Sequence, residues 1–171
     1  MRANTFHITQ GEHMVSDQPG TVITTLLGSC VACCLWDPEA RVGGMNHMLL
    51  SVRTTSYTHC NTAGVNAMEV LINDIIKLGG VRGNLKAKVF GGAQMVSGLS
   101  EIGISNGRFV LEFLEREGIT CESHSLGGVS ARMLKYWPTE GRVLQKIASS
   151  TPVVPEPQVL EESAGNAPEL F

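Results

Sequence analysis

The chain has 171 residues, with 13 Lys and Arg against 16 Asp and Glu, for a net charge of −3. That length suits one domain with a real hydrophobic core, and 43% hydrophobic against 17% charged residues excludes a wholly disordered chain. Residues 148–171 hold Glu156, Glu161, Glu162 and Glu169 and no Lys or Arg, so residues 1–147 are close to neutral and lack the basic footprint of a nucleic-acid binder.

The elements follow in chain order. The first residues, Met1 to His7, carry no apolar targeting segment, so secretion is not expected. Residues 21–27 are β-branched and apolar and predict a strand ending at Gly28-Ser29. A second apolar run at 30–36 stops at Asp37-Pro38, and a third spans 42–50 with Gly43-Gly44 inside it. Val65, Met68, Val70, Leu71, Ile75, Ile76 and Leu78 recur at helical spacing over 63–78, with Thr62 as N-cap and Gly79-Gly80 as the stop. A strand at 85–90 runs into Gly91-Gly92, and a second helix at 106–117 carries Phe109, Val110, Phe113 and Leu114. Strands at 119–125, 132–136 and 142–147 complete the body, the last two joined through Pro138 to Gly141. Strands dominate without strict alternation with helices, which predicts an α+β fold of helices on a mixed or antiparallel sheet. Residues 1–147 read as the domain. Beyond Ala148, Pro, Ser and Glu without periodicity read as a disordered acidic tail.

No window reaches the roughly 18–20 apolar residues that span a bilayer, so membrane insertion is not expected. A cytoplasmic protein with reduced thiols follows, and the five cysteines at 30, 33, 34, 60 and 121 are then small hydrophobes unless position says otherwise. One position does. A hairpin across the loop at 37–40 sets Trp36 opposite Arg41 and Cys30 opposite His47, within thiol–imidazole reach on one sheet face. Such a pair makes a thiol nucleophile with its base. Gly28 permits a sharp turn before Cys30 and frees backbone N–H groups for an oxyanion, and a hydroxyl from Thr24 or Thr25 orients the imidazole.

Other constellations are weaker. Cys30, Cys33, Cys34, His47, His59 and Cys60 could be assembled into a zinc site, but adjacent Cys33 and Cys34 point to opposite faces of a strand. His59-Cys60 falls in a polar loop at 54–61, and Gly91-Gly92 and Gly127-Gly128 match no nucleotide-binding pattern but suit close backbone approach at the rim of a site. His7, His13 and His124 have no evident partner.

The stretches Leu26-Leu27-Gly28-Ser29-Cys30-Val31-Ala32, Gly43-Gly44-Met45-Asn46-His47, Ala67-Met68-Glu69-Val70-Leu71-Ile72-Asn73 and Phe90-Gly91-Gly92-Ala93 together resemble the CheD family of chemoreceptor glutamine deamidases. The likeness covers about residues 20–147. It implies hydrolysis of selected receptor glutamines to glutamate with release of ammonia, and also of glutamate methyl esters, with no metal or organic cofactor. It further implies a layered α/β sandwich like the catalytic domain of cytotoxic necrotizing factor toxins. Cys30 is then the nucleophile, His47 the base, and the family's active-site threonine falls on Thr24 with Thr25 adjacent. The implied partners are the helical cytoplasmic parts of methyl-accepting chemotaxis receptors and the phosphatase CheC. Ser51 stands where a proline is common, and Ala131 where a glycine is usual, which bears on which receptors are bound. Two other classes remain beside the enzyme: a module that only regulates CheC, and a thiol redox sensor pairing Cys30 with Cys33 or Cys34.

Overall fold

A computed structural model describes residues 4–50, 57–95, 100–149 and 168–171, with side chains described from 62 and 102 in the two segments that open at 57 and 100. Among the described residues ten strands form two five-stranded sheets, and two helices cover one of them. The first sheet runs β1 (Thr5–His7), β3 (Val22–Leu27), β8 (Arg132–Trp137), β9 (Arg142–Ile147) and β10 (Glu169–Leu170). The second runs β2 (His13–Ser16), β5 (Val42–Asn46), β4 (Val31–Asp37), β6 (Lys86–Gly91) and β7 (Thr120–Leu126). Only β1–β3 and β6–β7 pair parallel, so the α+β reading with mixed sheets holds.

β4 explains the layering. All seven of its residues are buried, because it is central in its sheet and covered on both faces. Val31, Cys33 and Leu35 face the helices, where they meet Met68, Leu71, Ile72 and Ile75 of α1 (Tyr57–Lys77) and Phe109, Val110, Phe113 and Leu114 of α2 (Ser100–Arg116). Ala32 and Cys34 face the other sheet, among Ile23, Leu27, Leu134, Tyr136 and Val143. The period-2 geometry of a strand thus sends the adjacent cysteines into different cores.

Several boundaries differ from the sequence reading for identifiable reasons. α1 begins at Tyr57 and places Thr62 inside the helix, since residues 57–61 contain no Pro or Gly to stop it; His59-Cys60 is therefore helical, not loop. At its other end Gly79 takes φ 103° and the Gly80 N–H donates to Ile75 O, closing the helix as read. α2 begins six residues before the predicted start, because Gly103 and Gly107 hide its pattern while allowing close packing. β1 and β2 are short and largely exposed or half-exposed, leaving no apolar alternation to read. Residues 150–167 of the acidic tail lie outside the described residues, but its end returns as β10 beside β9, and Phe171 packs edge-on against Phe90 at 5.3 Å.

The hairpin register also moves. Trp36 pairs with Gly43 and Asp37 with Val42, so the loop is 38–41 and not 37–40. Asp37 sets this: its Oδ1 accepts the N–H groups of Glu39 (2.8 Å) and Ala40 (3.0 Å), and its carbonyl accepts that of Arg41 (2.9 Å). Arg41 takes φ 55° to complete the turn. Cys30 therefore does not sit directly opposite His47; the cross-strand pair between them is Val31 with Met48. Because the register changes by an even number of residues, both side chains stay on the inter-sheet face.

Candidate active site

Three segments meet at one end of the inter-sheet layer: the turn after β3 with Cys30, the end of β5 with His47, and the loop between β1 and β2. Val31 and Met48 exchange both backbone hydrogen bonds (2.9 and 2.8 Å) and hold the flanking Cys30 and His47 in fixed relation. The loop from β1 to β2 is a turn with Gly11 at φ 86° and the Glu12 N–H donating to Thr9 O at 3.0 Å. The Glu12 carboxylate accepts the Thr9 N–H (2.7 Å) and hydroxyl (3.0 Å), which holds it below the usual carboxylate range. Glu12 O in turn accepts the His47 N–H at 3.0 Å, and the Gly11 N–H donates to His47 O at 2.9 Å.

The imidazole of His47 is almost fully buried, and its Nδ1 lies 2.7 Å from Thr25 Oγ1. Thr25 Oγ1 also lies 2.7 Å from Ile8 O. A carbonyl can only accept, so the one hydroxyl proton of Thr25 goes to Ile8 O, and the hydroxyl must accept from His47. This fixes the tautomer: Nδ1 carries the proton and Nε2 keeps its lone pair. Burial first, and the positive potential of His7 second, lower the His47 pKa and favour the neutral ring.

Of the two adjacent threonines, then, Thr25 reaches His47. Thr24 points from the opposite face of β3, where its hydroxyl meets His7 Nδ1 at 3.0 Å and Phe6 O at 3.3 Å. Thr24, on which the family's active-site threonine falls, thus lies away from His47, because Ile23, Thr25 and Leu27 line the inter-sheet face while Thr24 and Leu26 do not.

Cys30 is half-buried, and its Sγ lies 3.9 Å from Gln10 Oε1; no hydrogen bond joins it to His47. Burial raises its pKa above the ordinary thiol value, so the resting group is the neutral thiol. The carbonyls of this turn are all engaged: Gly28 O accepts from Ala93 N (3.0 Å), Ser29 O from Asn106 Nδ2 (2.9 Å) and Cys30 O from Gly92 N (2.9 Å). Among the described residues the N–H groups of Gly28, Ser29 and Cys30 donate to no backbone carbonyl. Gly91, at φ 116°, lies so close to Cys30 O that a Cβ there would collide with it, so this glycine pair does mark a close backbone approach beside the cysteine.

The remaining candidates separate. Cys33 and Cys34 are fully buried in β4, and three or four residues of extended strand put about 10–13 Å between them and Cys30, beyond disulfide reach. A disulfide joining Cys30 to Cys33 or Cys34, as a redox sensor would need, is thereby contradicted. Among the described residues no three His, Cys, Asp or Glu side chains converge as metal ligands. Among them also, no helix is long and apolar enough to cross a membrane. His13 pairs with Asp74 at 2.8 Å. Gln10 and Glu12 are not singled out by any sequence motif, although Thr9-Gln10-Gly11-Glu12 carries a turn signal that could have drawn attention to the loop.

Comparison with known proteins places the chain in a family. The CheD chemotactic sensory transduction family matches residues 51–147. A probable chemoreceptor glutamine deamidase CheD of Caulobacter vibrioides is 49% identical over 150 residues, covering 86% of this chain and 80% of that protein. One of Cereibacter sphaeroides is 46% identical over 152 residues, covering 89% and 76%, and one of Rhizobium johnstonii is 49% identical over 146 residues, covering 84% and 79%. Among solved structures, the Bacillus licheniformis hypothetical protein YfiH aligns with a TM-score of 0.43 and 15% identity over 66% of this chain and 49% of that one. On the strength of the family match and of relatives that align along most of its length, this chain belongs to the CheD family.

Proposed function

We propose that this protein hydrolyses the side-chain amide of selected glutamines on chemotaxis receptors, using Cys30 as nucleophile and His47 as base. Its relatives are named for that reaction. The observation that carries the chemistry is the Thr25–His47 hydrogen bond, which leaves a bare Nε2 lone pair on the face shared with Cys30.

As the substrate carboxamide enters, the thiol leaves Gln10 and gives its proton to His47 Nε2 while Sγ bonds to the amide carbon. The carbonyl oxygen becomes an oxyanion, stabilised by the N–H groups of residues 28–30, which among the described residues donate to no backbone carbonyl. His47 then protonates the departing nitrogen, ammonia leaves, and a thioester remains. Water attacks the thioester, its proton passing to His47 and then to Cys30, which restores the thiol and frees glutamate. A methyl ester follows the same course with methanol as the leaving group. No step calls for a metal or an organic cofactor. The substrate lies on long receptor helices, so an open cleft at the cytoplasmic face of the receptor array suits the reaction. The layered kinship with cytotoxic necrotizing factor catalytic domains belongs to the same proposal.

Ammonia release from a purified receptor cytoplasmic fragment tests it, with mass spectrometry locating glutamines that gain about one dalton. The wild type is expected to deamidate the fragment and Cys30→Ala to leave it intact. Full activity in Cys30→Ala overturns the mechanism. Binding of receptor or of CheC without any turnover by the wild type replaces the enzyme with a regulatory module.

A further inference from the structure

Asn106 lies on α2 and is fully buried, though no sequence motif drew attention to it. Its Nδ2 donates to Ser29 O at 2.9 Å, and its Oδ1 accepts the Leu50 N–H at 3.1 Å. One partner can only accept and the other can only donate, so the amide's orientation is dictated by its neighbours. Ser29 is the residue before Cys30, and Leu50 lies three residues beyond His47 on the segment that leaves β5. One side chain thus spans the two pieces of backbone that carry the thiol and the imidazole.

The helix is built to bring it there. A Cβ on Gly103, one turn earlier, would stand 2.5 Å from Gly92 O and 2.8 Å from Ala93 O, so α2 approaches the 91–93 loop backbone to backbone. That loop in turn donates to Cys30 O and Gly28 O. The Cys30 turn is therefore gripped from behind by α2, directly through Asn106 and indirectly through the glycine contact.

We infer that Asn106 is a positioning residue that sets the distance between the Cys30 turn and the His47 segment for the thiol-to-imidazole proton transfer. Its rate readout rests on the deamidase reading; its effect on the thiol does not. Asn106→Asp is the discriminating variant. It keeps an oxygen for the Leu50 N–H but sets a second oxygen against Ser29 O, releasing only the Cys30 side of the clamp.

The expected result is a 10- to 100-fold loss of kcat, the scale of a misplacement of about 1 Å, with KM within about threefold of wild type. Iodoacetamide labelling of Cys30, followed by peptide mass spectrometry, is expected to change at least threefold and to alter its pH profile. Tyr136→Phe serves as a stability control, because it removes the buried hydroxyl's 2.7 Å bond to Leu35 O away from the thiol; its kcat should stay unchanged. Should the Asp variant fail to fold, Asn106→Ala leaves room for water between Ser29 O and the Leu50 N–H and is expected to show the same pattern. A variant at 106 that folds with wild-type kcat and wild-type labelling overturns the inference. If the wild type itself shows no deamidation, the functional reading falls, and the labelling comparison alone decides the role of Asn106.

Discussion

The two cores of this protein are built from neighbouring residues of the same strands but serve different ends. The helix-facing core is filled by aliphatic, phenyl and thioether groups with the buried thiol of Cys33, and its buried amides Asn46 and Asn106 each spend an oxygen on a backbone N–H. The inter-sheet core holds the Tyr136 hydroxyl, kept neutral by burial and donating to Leu35 O, and at its end it brings in Cys30, Thr25 and His47. At its border Arg132 bonds to Ser125 O and Gly127 O, and Gln145 to Ser125 Oγ. The difference teaches where chemistry can be housed. Helix packing rewards shape and leaves no room for a polar group to move. Between two sheets, strand ends bring turns and loops together and supply spare carbonyls and N–H groups to hold a base in one tautomer.

The sharpest way to break this contrast is to delete one group from each layer. His47→Ala should lower turnover by about 10²–10⁴-fold, the range for a positioned acid–base group. Its stability, read by urea denaturation, should change much less than in a core truncation. Leu71→Ala should do the reverse, costing about 2–5 kcal/mol of stability through lost burial and the cavity left behind. Its remaining folded fraction should keep the wild-type turnover per molecule. Equal losses of activity and stability in both variants would erase the division of labour.

A smaller effect separates the two faces of β3. Thr25→Val leaves His47 Nδ1 without its acceptor and Ile8 O without its donor. It should reduce turnover about tenfold or more and cost about 1–3 kcal/mol for the stranded polar groups. Thr24→Val loses only its contacts with His7 and Phe6 O, and turnover should stay within about twofold of wild type. Activity lost at Thr24 and kept at Thr25 would restore the assignment expected from the family resemblance.

The same contrast explains what could be read before the structure. Helix spacing announced Met68, Leu71 and Ile75, and continuous apolar runs announced β3, β4 and β6, because burial of a whole face writes itself into sequence. The short hairpin was legible in sequence, and although its register differs by two residues, an even shift keeps Cys30 and His47 on one face. The choice between Thr24 and Thr25 was not legible: it depends on which side of β3 faces the second sheet, where the Thr25 hydroxyl meets His47. Asn106 was hidden for a related reason. A buried amide that satisfies two distant backbone groups has no local pattern, and the flanking glycines weakened the helix signal around it.

The smallest effect concerns the resting protonation of the pair, and it bears on how the inter-sheet layer tunes its groups. Burial raises Cys30 above the ordinary thiol value of 9.0 and lowers His47 below the ordinary imidazole value of 6.5. Both shifts favour the neutral thiol beside the neutral imidazole over a resting ion pair. For His47 the unfolded chain takes up its proton first on acidification, so its neutral burial contributes stability above 6.5 that is lost as pH falls toward the lower folded value. Urea midpoints should therefore fall across that window in the wild type, and less steeply in His47→Gln. For Cys30 a raised pKa leaves under about 1% thiolate at pH 7, so iodoacetamide should label it slowly there and faster as pH passes 9. Rapid labelling that is flat between pH 6 and 8 would reveal a preformed thiolate–imidazolium pair. In that case Nε2 would already hold the thiol's proton, and the proposed proton transfer from Cys30 to His47 would precede substrate binding rather than accompany it.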